Sequence, residues 1–178
     1  MMCISQETSP RAVLNVGGNN KSIGIPGYYA EWRHDLLDID PAARPDILCD
    51  ARELDKLNSR KYDAVYCSHN LEHFYAHEVP KVLCGFLHVL KDGGFAEIIV
   101  PDIASVIRHV VHHDMDVNDV LYQSEGGPIT VHDVLYGWHL PIERTGQDYF
   151  AHKTGFTPKS LRMAILKRSS GSRRISRR

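Results

Sequence analysis

The sequence lacks the features that mark several classes of protein. None of its four cysteines belongs to a C-x-x-C pair, so we expect free thiols in a reducing compartment rather than a disulfide framework. No early stretch joins a basic region to an apolar one, and no apolar run reaches the roughly 20 residues that a spanning helix needs. These absences favour a cytoplasmic protein with no membrane span.

Metal-binding motifs are also missing, although the chain contains 11 histidines. There is no H-E-x-x-H motif and no Cys/His cluster with ligand spacing. His112, His113 and Asp116 come nearest, but adjacent residues on a helix point in different directions. The sequence therefore predicts no metal site.

Length and charge indicate one acidic domain with a basic end. The chain has 178 residues, 43% of them hydrophobic, which suits a single domain with a real core. Residues 167–178 carry six Lys and Arg and no acid, and the whole chain has net charge −1, so residues 1–166 carry −7. We expect one domain over 1–166 and a disordered tail over 167–178. An acidic body disfavours nucleic acid as the main substrate.

Short apolar segments alternate with helical patterns along the chain. The predicted strands are Arg11–Val16, His34–Ile39, Ile47–Cys49, Tyr62–Cys67 and Phe95–Val100. Apolar residues at helical spacing predict helices over 79–90, after Asp102, from Thr130 through Trp138 and after Thr157. This alternation favours an α/β fold with a parallel sheet covered on both faces, whose ligands bind beyond the carboxyl ends of the strands.

Two polar features follow the first two strands. The run Gly17-Gly18-Asn19-Asn20 is either a tight turn or a loop whose backbone meets a ligand closely. It is neither G-x-G-x-x-G nor a P-loop. Asp38 lies 21 residues beyond Gly17, near the spacing of about 20 at which a carboxylate binds an adenosine ribose. Asp40 is its rival, and the alternative for Asp38 is a solvated turn. The pair indicates a nucleoside ligand without phosphates.

Five segments in order make the chain recognisable: LNVGGNN, LLDIDP, DILCDAREL, YDAVYCSHNLEHF and FLHVLKDGGFAEIIVPD. Together they resemble the class I S-adenosylmethionine-dependent methyltransferases, and the small type-11-like group in particular. The resemblance covers 11–102 and resumes over 152–161. It implies a Rossmann-like, doubly wound, mostly parallel sheet flanked by helices, with S-adenosyl-L-methionine as cofactor and S-adenosyl-L-homocysteine as product.

The resemblance also implies roles for individual residues. Gly17 and Gly18 would meet the methionine part of the cofactor, and Asp38 would bind its ribose. Asp50 would accept from the adenine amino group beside the Ala51 N–H. The cofactor-binding set is Asn15, Gly17, Gly18, Asn19, Asp38, Asp50, Ala51, Ser68 and His69.

The chain departs from the family pattern in three places. A third glycine is absent from the first loop, and the Gly- and Pro-broken stretch Ile23–Trp32 replaces the usual helix. The family's final antiparallel hairpin is expected to be missing or truncated, because only RSSGSRRISRR follows the last predicted helix.

These residues predict methyl transfer to a small-molecule or glycan-type acceptor by in-line displacement. Its candidate general bases are His69, His73 and His139, with His152 as a further one. The aromatic-rich segment 112–155 is either a substrate-side insertion or lid, or a satellite hydrophobic cluster. One alternative is a catalytically inactive cofactor-binding or scaffolding protein. A nicotinamide-dependent oxidoreductase is disfavoured by the missing glycine motif.

Overall fold

Five parallel strands form the central sheet of the protein. The computed structural model describes residues 10–124 and 126–169. The strands are β1 (Ala12–Val16), β2 (Arg33–Asp38), β3 (Ile47–Leu48), β4 (Tyr62–Ser68) and β5 (Leu90–Ile99). Their order in the sheet is β3-β2-β1-β4-β5, and every neighbouring pair is parallel. The predicted Rossmann-like α/β fold is confirmed.

The strand order reverses between β1 and β4. The chain runs outward from β1 to β3 and then returns to place β4 on the other side of β1. In open α/β sheets such a reversal opens a crevice at the carboxyl ends of the two strands. The residues that follow Val16 and Ser68 therefore share one crevice.

The described residues form five α-helices: α1 (Val79–Val89), α2 (Ile103–His112), α3 (Val131–Tyr136), α4 (His139–Thr145) and α5 (Pro158–Ser169). Pro80 is tolerated in the first turn of α1, where its missing N–H would have no helical partner. Phe86 of α1 and Leu161 of α5 join Leu14 of β1 in the main core. No helix in the described residues is long and apolar enough to cross a membrane.

The other face of β1 contacts an aromatic segment. Val13 packs with Tyr29 and Ala64, and Trp32 and Phe95 lie against them. Between β1 and β2 the regular structure within the described residues is a single 3₁₀ turn at Gly27–Tyr29. The predicted loss of the family's usual first helix is therefore confirmed.

Three boundaries differ from the sequence prediction. Leu90, expected in the stripe of α1, begins β5 instead, because it is buried against Tyr62 in the sheet. β5 therefore begins five residues before the predicted Phe95, and its pairing with β4 is irregular between Tyr62 and Ala64. The helix after Thr130 ends at Tyr136 rather than Trp138, because Gly137 has φ +102°.

Two elements in the segment 112–155 were not predicted. The strands β6 (Val120–Ser124) and β7 (Gly127–Thr130) form a separate antiparallel pair, and α4 follows α3 after two residues. At the other end, α5 continues through Lys167 into the predicted tail. Cys3 and residues 170–178 lie outside the described residues. Within the described residues, Cys49, Cys67 and Cys84 are free thiols.

Candidate active site

A cavity of about 710 Å³ lies at the carboxyl ends of β1, β2, β4 and β5. This volume is within the range of roughly 300–1,000 Å³ that is typical of ligand pockets. Its polar lining comes from the sheet ends and its apolar lining mainly from 112–155. The apolar and aromatic group is Leu121, Tyr122, Ile129, Val134, Trp138, Tyr149 and Phe150.

The turn after β1 approaches other side chains too closely for any residue but glycine. Gly17 has φ +69°, and a Cβ placed there would lie 1.9 Å from Nδ2 of Asn70. A Cβ on Gly18 would lie 2.2 Å from Nδ2 of the buried Asn15. Asn19 also has a left-handed backbone, with φ +60°. Gly17, Gly18 and Asn19 all line the cavity, so the turn is placed where a ligand-binding loop would be.

Asp38 is the last residue of β2 and is 8% exposed. The Asn19 N–H donates to its Oδ2 at 3.0 Å, and the Asp40 N–H donates to its Oδ1 at 3.0 Å. Asp40 instead accepts from the Ala42 N–H at 2.8 Å and caps a 3₁₀ turn. Both acids line the cavity. Because Asp38 is fixed directly beside the glycine turn, the geometry favours it over Asp40 as a ligand-binding carboxylate.

Asp50 and Ala51 line a smaller cavity of about 70 Å³, which shares Gly17 and Asp38 with the large one. The Arg52 guanidinium donates to Asp50 Oδ2 from Nη2 at 2.5 Å and also reaches Glu78 at 2.6 Å. Burial opposes ionisation of Asp50, but its hydrogen bonds from Arg52 lower the pKa of this carboxyl below its usual value. Arg52 therefore covers one side of the group expected to meet adenine.

Ser68 and His69 follow β4 and line the cavity. His69 has φ +50°, and its N–H donates to the Ile99 carbonyl at 2.9 Å. Its ring Nδ1 lies 3.6 Å from Oε1 of Glu72. The Glu72 carboxylate raises the pKa of His69, and desolvation opposes this effect. A base with a raised imidazole pKa is suited to accept a proton near neutral pH.

His73 and His152 meet on the same wall, with ring centroids 5.1 Å apart. Nδ1 of His73 lies 3.1 Å from the Ala151 carbonyl oxygen, and Nδ1 of His152 lies 3.0 Å from that of Val134. Burial lowers the pKa of His152. These two histidines and Glu72 bring one potential ligand atom each to within 4.8 Å of one another.

His139 lies apart from this group. Its Nδ1 is 2.5 Å from Oδ1 of Asp133, which closes the capping box of α3 with Thr130. Burial opposes ionisation of Asp133, but hydrogen bonds from Thr130 and His139 lower its pKa well below the usual value. Asp133 lines the cavity and His139 is not among the lining residues. The structure therefore groups three of the four predicted bases and separates His139 from them.

Sequence reasoning missed Asn70 as a site residue and did not connect His152 to His73. Asn70 packs against Gly17 and lines both cavities, but an Asn in a turn gives no signal of its own. His152 is 79 positions beyond His73, so no local spacing joins them. The segment HKTGFTPKSL, already part of the family resemblance, was the available clue.

Comparisons with known proteins agree with this geometry. Residues 33–98 match the profile of a family described as a methyltransferase domain. A crystal structure of an S-adenosylmethionine-dependent methyltransferase from Archaeoglobus fulgidus is similar, with a TM-score of 0.53 and 16% identity over 89% of this chain. The chain has the class I methyltransferase fold. The resemblance stated from the sequence is confirmed at the level of this fold and domain profile.

A second solved structure with a similar fold is that of the PH0226 protein from Pyrococcus horikoshii OT3. It has a TM-score of 0.55 and 12% identity, covering 89% of this chain and 73% of its own. This chain spans 60% of the length of the Archaeoglobus structure. No curated protein matches the sequence significantly.

Proposed function

We propose that this methyltransferase-fold protein transfers a methyl group from S-adenosyl-L-methionine to a small-molecule or glycan-type acceptor. One observation carries the proposal: the glycine turn after β1 and the Asp38 carboxylate meet at a single large cavity. They do so at the carboxyl ends of the strands, where α/β folds bind their ligands. The methyltransferase domain match over 33–98 supports the same assignment.

The residues present fit a nucleoside cofactor. Side chains of Asn15 and Asn70 occupy the space that a Cβ on Gly18 or Gly17 would need, and both glycines line the large cavity. Asp38 accepts one backbone hydrogen bond at each oxygen. A carboxylate has about four lone-pair sites, so both oxygens can still accept from ribose hydroxyls.

For methyl transfer, the protein must mainly position the acceptor against the methyl group and remove the proton of the acceptor. The cofactor, when bound, supplies a methyl group activated on a sulfonium. Asp38 and the glycine turn would fix the nucleoside and methionine parts. His69 would take the proton of the acceptor, since Glu72 raises its pKa. General bases typically contribute about 10²–10⁴-fold to a rate.

The segment 112–155 is proposed as the acceptor side of the site. It contributes the apolar wall described above, including Tyr122, Trp138 and Phe150. Apolar and aromatic walls with a few convergent polar groups are typical of small-molecule pockets. His69, His73 and His152 supply such polar groups in the same lining.

Calorimetry with the purified chain tests the cofactor assignment. Asp38→Ala removes a charged acceptor, and hydrogen bonds to charged groups contribute about 1.5–3 kcal/mol. We therefore expect S-adenosylhomocysteine to bind the variant roughly 10–150-fold more weakly. The matched variant Asp40→Ala should stay within about threefold, because that carboxylate caps a turn. Binding of NAD in place of either sulfur ligand would favour an oxidoreductase.

Release of S-adenosylhomocysteine across a panel of phenols, amines and sugars tests the activity. With any acceptor found, His69→Ala should lower kcat by about 10²–10⁴-fold. The exposed helix residue His113 provides a control, since His113→Ala lies outside the cavity lining. A full rate with His69→Ala would reject His69 as the base. Tight cofactor binding with no turnover on any acceptor would support the inactive, cofactor-binding alternative.

A further inference from the structure

Glu72 is a buried carboxylate without a hydrogen-bond donor in the described part of the chain. The residue is 1% exposed, and neither Oε1 nor Oε2 has a hydrogen-bond partner. The His69 ring nitrogen at 3.6 Å lies beyond hydrogen-bond distance. A buried charge is costly unless it is paired or coordinates a metal. Both oxygens of this acid are thus without a hydrogen-bond partner in the described residues, although the His69 ring lies within ion-pair distance of Oε1.

Two histidines face this carboxylate with one ring nitrogen already engaged. Nδ1 of His152 donates to the Val134 carbonyl, and Nδ1 of His73 is placed to donate to the Ala151 carbonyl. Metal-binding histidines almost always donate their second N–H to a carbonyl or carboxylate in this way. With Nδ1 on a backbone carbonyl, Nε2 is the nitrogen that each ring would offer to a metal ion.

Nε2 of His73 lies 3.1 Å from the carbonyl oxygen of His69. An ion bound at this nitrogen would displace that contact, which requires a small movement of the His73 ring.

We propose that Glu72, His73 and His152 form a binding site for one divalent transition-metal ion. Their ligand atoms lie within 4.8 Å of one another, so small side-chain movements bring all three to one ion. Two imidazoles and one carboxylate suit Zn²⁺, Fe²⁺ or Co²⁺ better than Mg²⁺ or Ca²⁺, which prefer oxygen ligands.

Such a site would be open on one side. Three protein ligands leave at least one coordination position free, as in catalytic zinc sites. His73 and His152 line the large cavity, so the free position faces it. If the proposed function holds, an oxygen or nitrogen atom of the acceptor is the group that takes this position.

Metal binding is measured on the full chain without S-adenosylmethionine. A chain that binds no metal would then contradict this proposal without contradicting the proposed function. Zn²⁺ is titrated by calorimetry, and Co²⁺ is followed by its visible d–d absorption. We expect one ion per chain. Glu72→Gln and His152→Ala should each weaken binding by at least about 100-fold, more than the loss of an outer-shell partner does.

One variant controls for a second histidine group. The exposed His113, the C-cap of α2, has its ring 4.1 Å from that of His109, so this pair is the control for adventitious binding to histidine. His113→Ala removes that pair and should keep the stoichiometric ion. Glu72→Gln preserves side-chain shape, so it keeps the test valid if His152→Ala fails to fold.

Thermal unfolding provides a second readout, because a ligand that binds only the folded state raises Tm. Zn²⁺ should raise the Tm of the wild type and of His113→Ala but not that of Glu72→Gln. The proposal is overturned by absence of stoichiometric binding, by equal affinity in Glu72→Gln, or by loss of the ion in His113→Ala.

Discussion

Gly17→Ala is the substitution that most directly tests how the turn after β1 is built. Gly17 combines a positive φ of +69° with a neighbour, Asn70, whose Nδ2 would lie 1.9 Å from the new Cβ. Gly93 has a similar φ of +81° but nothing within 4 Å of its Cβ position. The two glycines therefore separate backbone strain from steric overlap.

The expected magnitudes follow from these two terms. Left-handed backbone costs an L-residue about 1–2 kcal/mol, which is the whole effect expected for Gly93→Ala. Overpacking adds about 1–3 kcal/mol where the neighbour must move, so Gly17→Ala should cost about 2–5 kcal/mol. Adding Asn70→Ala removes the two nearest atoms, and the double variant should recover most of the steric part.

Urea unfolding of five proteins, the wild type, Gly17→Ala, Gly93→Ala, Asn70→Ala and the double variant, gives these free energies directly. The double-variant comparison measures the coupling between positions 17 and 70, because neighbouring residues do not act additively. Equal losses for Gly17→Ala and Gly93→Ala would contradict the described packing of Asn70. So would a double variant no more stable than Gly17→Ala alone.

Two further predictions concern the core and the acid dependence of stability. Phe86→Ala should lower the free energy of unfolding by about 3–5 kcal/mol, since Phe86 is 0% exposed; a loss under 1 kcal/mol in urea unfolding would contradict this burial. Hydrogen bonds lower the folded pKa of Asp133 below its ordinary 3.8, so its contribution is present above that value and is lost as pH falls. The stability difference between wild type and Asp133→Asn should thus be constant from pH 5 to 7 and shrink below about pH 4; a difference independent of pH would refute it.

The sheet was predictable because its strands carry local signals. Every residue of β1 from Ala12 to Val16 is buried, and a continuous apolar run of that length is typical of a central parallel strand. The spacing between Gly17 and Asp38 could also be read from the sequence, because both residues stand at the ends of two successive strands, β1 and β2. Features within about 20 residues were thus accessible to pattern reasoning.

Other features depend on contacts that no local pattern encodes. Leu90 leaves its helical stripe because Tyr62 offers a strand partner, and a tertiary contact of this kind overrides propensity. The meeting of His73 and His152 depends on how the segment after α4 returns to the sheet. The Arg52 guanidinium binds both Asp50 and Glu78, and Glu78 lies 26 residues beyond Arg52 in the chain.

Calorimetric titration of the purified chain with S-adenosylhomocysteine tests the central claim most directly. The account predicts one site per chain, binding at micromolar concentrations, and a loss of affinity in Asp38→Ala that Asp40→Ala does not share. No binding below millimolar concentration would contradict a cofactor site at the glycine turn. Equal affinity in wild type and Asp38→Ala would contradict the assignment of Asp38 to the ribose.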